Sequence, residues 1–332
     1  MFMIYKMLFF FSMMTGSLIS ISSMTWMGMW MGLEINLLSI IPLMNSNKNL
    51  YSSESSMKYF ITQAMASTIL LMSIMLMNSN FVNMNFILML NSSLLTKMGA
   101  APFHFWFPEV MEGLSWMNSL IMLTWQKVAP MILLMYNTNF PYFFSTVIIF
   151  SMLISGIMGL NQTSLRKILT YSSINHIAWM IGSIFISQPV WMLYFFIYSL
   201  ITINIIIIFK ILNIFFLKQF MNSMNNNFQM KLFFILNFFS LGGLPPFLGF
   251  LPKWMVIESL IMSKFYWMSF LMVILTLPTL FFYMRITFST LTINYNSSNF
   301  KMFNSMNIYT IMFSNMISLL GLISCTILFN FL

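Results

Sequence analysis

Five ionisable side chains, Glu34, Lys97, Lys127, His176 and Lys253, fall inside long apolar runs of the sequence, with His104 and Glu258 close by. A charge at mid-depth in an apolar segment costs about 2.5–3.5 kcal/mol on insertion scales, so each is a candidate functional group. Taken out of water, an ammonium gives up its proton more readily, and a nearby carboxylate opposes this. Lysine can therefore exchange a proton near neutral pH, whereas arginine stays charged. Among the basic side chains with fixed charge none reaches these depths; both arginines, Arg166 and Arg285, fall at the ends of spans. Glu34 and Lys97 read as a pair in which the carboxylate holds the lysine protonated until something moves. Lys127, with no acid near it in sequence, reads as a central relay. His176 can pass protons because imidazole titrates at about 6.5. Lys253 reads as the exit.

Two interrupted helices must position these groups. The stretch Lys97-Met-Gly-Ala-Ala-Pro-Phe-His-Phe-Trp-Phe-Pro-Glu109 sits where a membrane helix is due, yet it holds Gly99, Pro102 and Pro108. Glycine and proline interrupt the helix, and the freed backbone groups need partners inside the protein. The pattern recurs at residues 242–253 with Gly242, Gly243, Pro245, Pro246, Pro252 and Lys253. Gly99 and Pro102 align with Gly242 and Pro245 at an offset of 143, and Pro108 aligns with Pro252 after one inserted residue. Paired broken segments in the two halves of an apolar chain mark an ion or substrate path.

Composition sets the class. Hydrophobic residues make up 60% and charged residues 6% of the chain, where soluble domains are about a quarter charged. The expected fold is an all-α polytopic membrane protein forming a single membrane domain over 1–332. Eleven spans fit, near 3–22, 24–44, 58–77, 83–112, 114–136, 142–161, 165–186, 189–213, 229–263, 266–288 and 306–330. Alternating sides along this count puts ten loop bases on the N-terminal side and Lys264 alone on the other. That bias makes the N-terminal side the matrix side and puts the C-terminus across the membrane. Residues 1–136 and 142–288 then form two inverted five-helix repeats, each with its fourth helix broken, and 306–330 is an added helix. Polar loops are expected at 45–56, 221–229 and 293–305. Gly28-Met-Trp-Met-Gly32 is a close-packing signal one turn before Glu34.

Several chemistries are excluded. No Walker A or GxGxxG sequence is present, and Cys325 is the sole cysteine, so no nucleotide site, disulfide or metal cluster is expected. His104 and His176 are too isolated to hold haem. The net charge of +9 lies mostly in short loops, without the aromatic interleaving of a nucleic-acid surface. The 39 Met and 38 Phe residues point to an AT-rich genome that reads an extra codon as Met, that is, mitochondrial DNA. No Arg-rich amphipathic leader opens the chain, as expected of synthesis inside the organelle.

The segments Trp30-Met-Gly-Leu-Glu34-Ile-Asn-Leu, Lys97–Pro108, Trp125-Gln-Lys127-Val-Ala-Pro, Ser172-Ser-Ile-Asn-His176 and Leu241–Trp254 resemble the antiporter-like subunits of respiratory complex I, in an insect-like form. These subunits are themselves similar to Mrp-type cation/proton antiporters, and the animal forms have lost three N-terminal helices. The resemblance implies that Glu34 and Lys97 are the half-channel ion pair, Lys127 the central lysine, and Lys253 part of the second half. It implies no cofactor in this chain, with FMN, iron–sulfur clusters and ubiquinone in other subunits. The implied neighbours are a small 4L-type subunit, antiporter-like subunit 4, the lateral helix of subunit 5, accessory subunits and lipids such as cardiolipin. The implied location is the mitochondrial inner membrane. A free-standing cation/proton antiporter and a structural spacer without an ion path remain as alternatives.

Overall fold

The computed structural model describes residues 2–45, 49–78, 84–185, 187–224, 228–245 and 247–292. The loop at 293–305, the span at 306–330, Cys325 and Pro246 lie outside these residues. Among the described residues, six helices are long and apolar enough to cross a membrane: α1 (Phe2–Ser22), α2 (Trp26–Met44), α3 (Leu50–Asn78), α8 (Pro141–Leu160), α10 (Gln188–Leu212) and α14 (Tyr266–Thr292). Between them run α4 (Met84–Met98), α5 (Trp106–Gly113), α6 (Trp116–Leu123), α7 (Trp125–Met135), α9 (Leu165–Ile184), α11 (Leu217–Met224), α12 (Phe228–Gly242) and α13 (Phe250–Met262). Among the described residues the only β-type pairing is an isolated bridge between Ser164 and Phe216.

Three boundaries differ from expectation. Helix α3 begins at Leu50, inside the expected loop. Serine hydroxyls there bond back to carbonyls three residues earlier, and Glu54 pairs with Lys58 one turn on, so polar residues still favour helix. The expected loop at 221–229 holds the end of α11 and the start of α12. The fifth span is two helices, because Thr124 leaves helical geometry at φ −114° and ψ −74°. Its amide and hydroxyl both bond to Leu120 O, at 3.0 and 2.8 Å.

The chain divides into two compact units, residues 1–150 and 151–332. In the first, α1 packs along α2, α3 lies against α2, α4 and α5, and α7 touches α1, α4 and α6. The close approach of α1 and α2 occurs at Gly32, where an added Cβ would lie 2.5 Å from Ser20 N and 2.8 Å from Gly16 O. Gly28 instead faces Ser23 and Thr25 of its own cap, so the small-residue contact pairs Gly32 with Gly16. Polar side chains tie the helices together: Trp30 Nε1 donates to Ser67 O, Asn118 Nδ2 to Leu43 O and Trp125 Nε1 to Ser17 Oγ. Each such bond contributes about 0.6 kcal/mol in a membrane interior. Lys58 also joins Glu109 at 2.9 Å, which puts the start of α3 beside α5. Both residues are exposed, so this pair contributes at most about 1 kcal/mol.

In the second unit, α9 is the centre. Every residue from Ile168 to Ile184 is buried, against α10, α13 and α14. A helix enclosed on all sides is normally apolar, yet this one carries Thr170, Ser172, Ser173, Asn175 and His176. The hydroxyls satisfy themselves on carbonyls three residues back, at 2.6–2.8 Å. Asn175 Nδ2 donates to Thr279 Oγ1 at 3.1 Å.

Candidate functional site

Both breaks end in the same hydrogen-bonded cap. At the first, Gly99 N donates to Thr96 O at 3.2 Å and Ala100 N to Leu95 O at 3.1 Å. At the second, Gly243 N donates to Ser240 O at 3.0 Å and Leu244 N to Phe239 O at 3.2 Å. This paired bonding is the Schellman ending, which needs a left-handed residue at its turn. Gly99 and Gly243 supply it with φ +74° and +75°. Backbone geometry thus aligns Gly99 with Gly243 rather than with Gly242. The offset becomes 144, which also brings Pro102 onto Pro246 and Pro108 onto Pro252 without an insertion. The sequence alignment failed because Gly242 and Gly243 are adjacent, and only the positive φ tells them apart.

The first break is closed by its own side chains. Trp106 Nε1 donates to Thr96 O at 3.0 Å, and His104 Nδ1 lies 3.3 Å from Pro102 O. His104 is 2% exposed, so it serves the buried backbone of the loop. Pro102 lies within the loop, while Pro108 sits buried in the first turn of α5, where a missing N–H costs nothing.

Lys97 occupies the last turn of α4, where the helix dipole favours a cation. It is 8% exposed. Glu34, half-buried on α2, acts on it electrostatically, but no salt bridge joins the two. Lys127 is 1% exposed, near the start of α7, with Nζ 5.4 Å from the centre of the Phe107 ring. The face of an aromatic ring attracts a cation, so Phe107 of α5 helps to hold Lys127. The backbone N–H of Lys127 donates to Thr124 O at 3.2 Å, and the discontinuity at Thr124 therefore sets its position. Pro130, buried within α7, has no N–H to return to Gln126 O.

In the second unit, Lys253 lies on the first turn of α13 beside buried Pro252. Its Nζ donates to Gly242 O at 2.7 Å and to Leu241 O at 3.4 Å. The ammonium therefore caps the carbonyl end of α12 across the break, and it lies 5.9 Å from the Trp179 ring of α9. His176, one turn before Trp179, has Nδ1 2.9 Å from the Tyr194 hydroxyl and its ring 4.9 Å from that of Tyr198. Pro245 is exposed in the loop. Glu258 is exposed on α13 and stands apart from the buried groups.

Sequence reasoning missed four partners. Tyr194 and Tyr198 are buried beside His176, and their i, i+4 spacing on α10 was the available signal. Asn36 and Gln126 exchange two N–H···O bonds of 3.0 Å each. Both belong to stretches already singled out, two residues after Glu34 and one before Lys127. Among the described residues no three His, Cys, Asp or Glu side chains gather. The arrangement supplies proton donors and acceptors, with Lys97 and Lys253 held at the helix breaks and His176 beside a hydroxyl.

Residues 23–279 match the transmembrane family described as NADH:quinone oxidoreductase/Mrp antiporter. The chain is 50% identical to NADH-ubiquinone oxidoreductase chain 2 of Aedes aegypti, over 97% of both chains. Its fold is similar to that of a chain in respiratory complex I from Thermus thermophilus with bound aureothin. The TM-score there is 0.86 at 20% identity, covering 96% of this chain and 78% of that one. It is also similar to a chain of the Mrp complex from a Dietzia species, with TM-score 0.73 at 14% identity, covering 83% and 58%.

Proposed function

The chain belongs to the NADH:quinone oxidoreductase/Mrp antiporter family of transmembrane subunits, and on that premise we propose that it is a proton-translocating, antiporter-like subunit of NADH:ubiquinone oxidoreductase, respiratory complex I. It has no redox centre of its own. FMN, iron–sulfur clusters and ubiquinone act in other subunits, and the energy released there drives protons through this chain. Glu34 sets the charge state of Lys97, Lys127 relays, His176 with Tyr194 extends the path, and Lys253 completes it. The observation that carries this reading is the pair of breaks. Each unit closes an apolar helix on a left-handed glycine and holds a buried lysine at that closure. An idle lysine there would be a net cost.

The finer architecture belongs to the same reading. Eleven spans form inverted repeats over 1–136 and 142–288, with 306–330 added. The matching caps at Gly99 and Gly243 and the one-sided loop bases support this plan. The N-terminus lies on the matrix side of the mitochondrial inner membrane and the C-terminus on the intermembrane-space side. The neighbours are the small 4L-type subunit, antiporter-like subunit 4, the lateral helix of subunit 5, accessory subunits and cardiolipin.

Native electrophoresis of mildly solubilised mitochondria, with in-gel NADH oxidation and peptide identification, tests the assignment. The chain is expected only in the large NADH-oxidising band. Recovery mainly in a small band without that activity would make it a free-standing cation/proton antiporter.

A further inference from the structure

We propose that Gln63, with the Asn36–Gln126 amide pair, holds a single water against the Lys97 ammonium, and that this water is the first acceptor of the lysine's proton. The proposal rests on the reading of Lys97 as a proton carrier. Four helices of the first unit, α2, α3, α4 and α7, meet around a cavity of about 10 Å³ lined by Asn36, Tyr59, Gln63, Lys97 and Gln126. That volume is close to what one water needs, and a water stays only where two to four polar partners meet it.

The side chains around the cavity supply those partners. Gln63 is 3% exposed, and its Nε2 has no hydrogen-bond partner. An amide N–H enclosed in this way calls for an acceptor. Lys97 is buried too, at 8% exposed, with Glu34 acting on it only at a distance. Asn36 and Gln126 satisfy each other once, but each amide oxygen keeps a second lone pair. The cavity therefore offers two donors, Lys97 Nζ and Gln63 Nε2, and two acceptors, Asn36 Oδ1 and Gln126 Oε1. A water that accepts from both donors and donates one O–H to an amide oxygen keeps its other O–H to pass a proton on.

In the transfer, an N–H bond of Lys97 breaks as the water oxygen takes the proton. The O–H bond of the same water that no amide oxygen holds then breaks, and its proton passes through further water toward the neutral amine of Lys127. Lys97 is left neutral and the first water is restored. The amides neither gain nor lose a proton. They are positioning residues, and Gln126 directly precedes Lys127 on α7, so a shift of the amide pair moves both ends of the step together.

The test uses the whole NADH-oxidising complex. Gln63→Leu removes the amide at similar volume, and Gln63→His returns an N–H at the same reach. Gln63→Leu is expected to lower the share of protons per NADH that depends on this chain about tenfold, and Gln63→His to restore it to within about twofold. Equal losses in both variants, or none in either, overturn the proposal. A density map of the unaltered complex that resolves waters decides independently of how the variants assemble. It is expected to show one water within hydrogen-bond distance of Lys97 Nζ and Gln63 Nε2, and a dry cavity overturns the proposal. Lys97→Met separates the two levels of inference. If it leaves pumping intact, the role of Lys97 itself falls. If it stops pumping while Gln63→Leu does not, only the water site falls.

Discussion

Lys253 shows how one side chain can serve both structure and transfer. Its ammonium closes the carbonyl end of α12 through Gly242 O and Leu241 O, and a neutral amine, which keeps two N–H but loses the charge, holds those carbonyls less tightly. Protonation and closure of the break are thereby linked. Arginine offers the same donors but does not release a proton at physiological pH. In the assembled complex, Lys253→Arg is expected to preserve NADH oxidation by the peripheral centres under uncoupled conditions and to lower protons translocated per NADH about tenfold or more. Unaltered pumping in this variant would reduce Lys253 to a fixed charge that merely caps a helix. Lys127, by comparison, lies with its Nζ 5.4 Å from the centre of the Phe107 ring.

At the scale of the element, the two breaks are one device used twice, and the neighbouring glycines of the second make a sharp comparison. Gly243 sits at φ +75°, and an added Cβ would fall 2.7 Å from Lys253 Cδ and 2.8 Å from its Nζ. Gly242 has helical backbone, and the nearest atom to an added Cβ is 3.8 Å away. Gly243→Ala is expected to cost about 1–2 kcal/mol from backbone conformation alone and to displace the ammonium, which thermal melts and pumping assays of the complex would both register. Gly242→Ala is expected to be near neutral in both. The breaks themselves were legible in the sequence, because Gly and Pro inside apolar runs have few other uses. Their register was not, since two adjacent glycines differ only in φ. The discontinuity at Thr124 was also hidden: threonine is common inside membrane helices, and its two hydrogen bonds to Leu120 O are visible only in three dimensions. The polar character of α9 could be read from Ser172, Ser173, Asn175 and His176, but not which α10 tyrosines faced them.

At the scale of the molecule, each compact unit carries its own broken helix and its own buried lysines: Lys97 and Lys127 in the first, Lys231 and Lys253 in the second. Around them the chain builds neutral polar partners, the Asn36–Gln126 amides in one unit and the His176–Tyr194 contact in the other. A spacer subunit would gain by losing such groups, since replacing a buried charge with an apolar side chain of similar size is often neutral or stabilising. The same fact makes the decisive variant practical. Lys127→Met fills similar space and removes the proton carrier at the most enclosed of these lysines. The measurement is protons translocated per NADH oxidised by the complex carrying Lys127→Met, reconstituted in sealed vesicles. This account predicts that the complex assembles, retains its NADH-oxidising centres and loses most of the translocation that depends on this chain. Assembly with an unchanged proton-to-NADH ratio would contradict it and leave the chain a structural spacer.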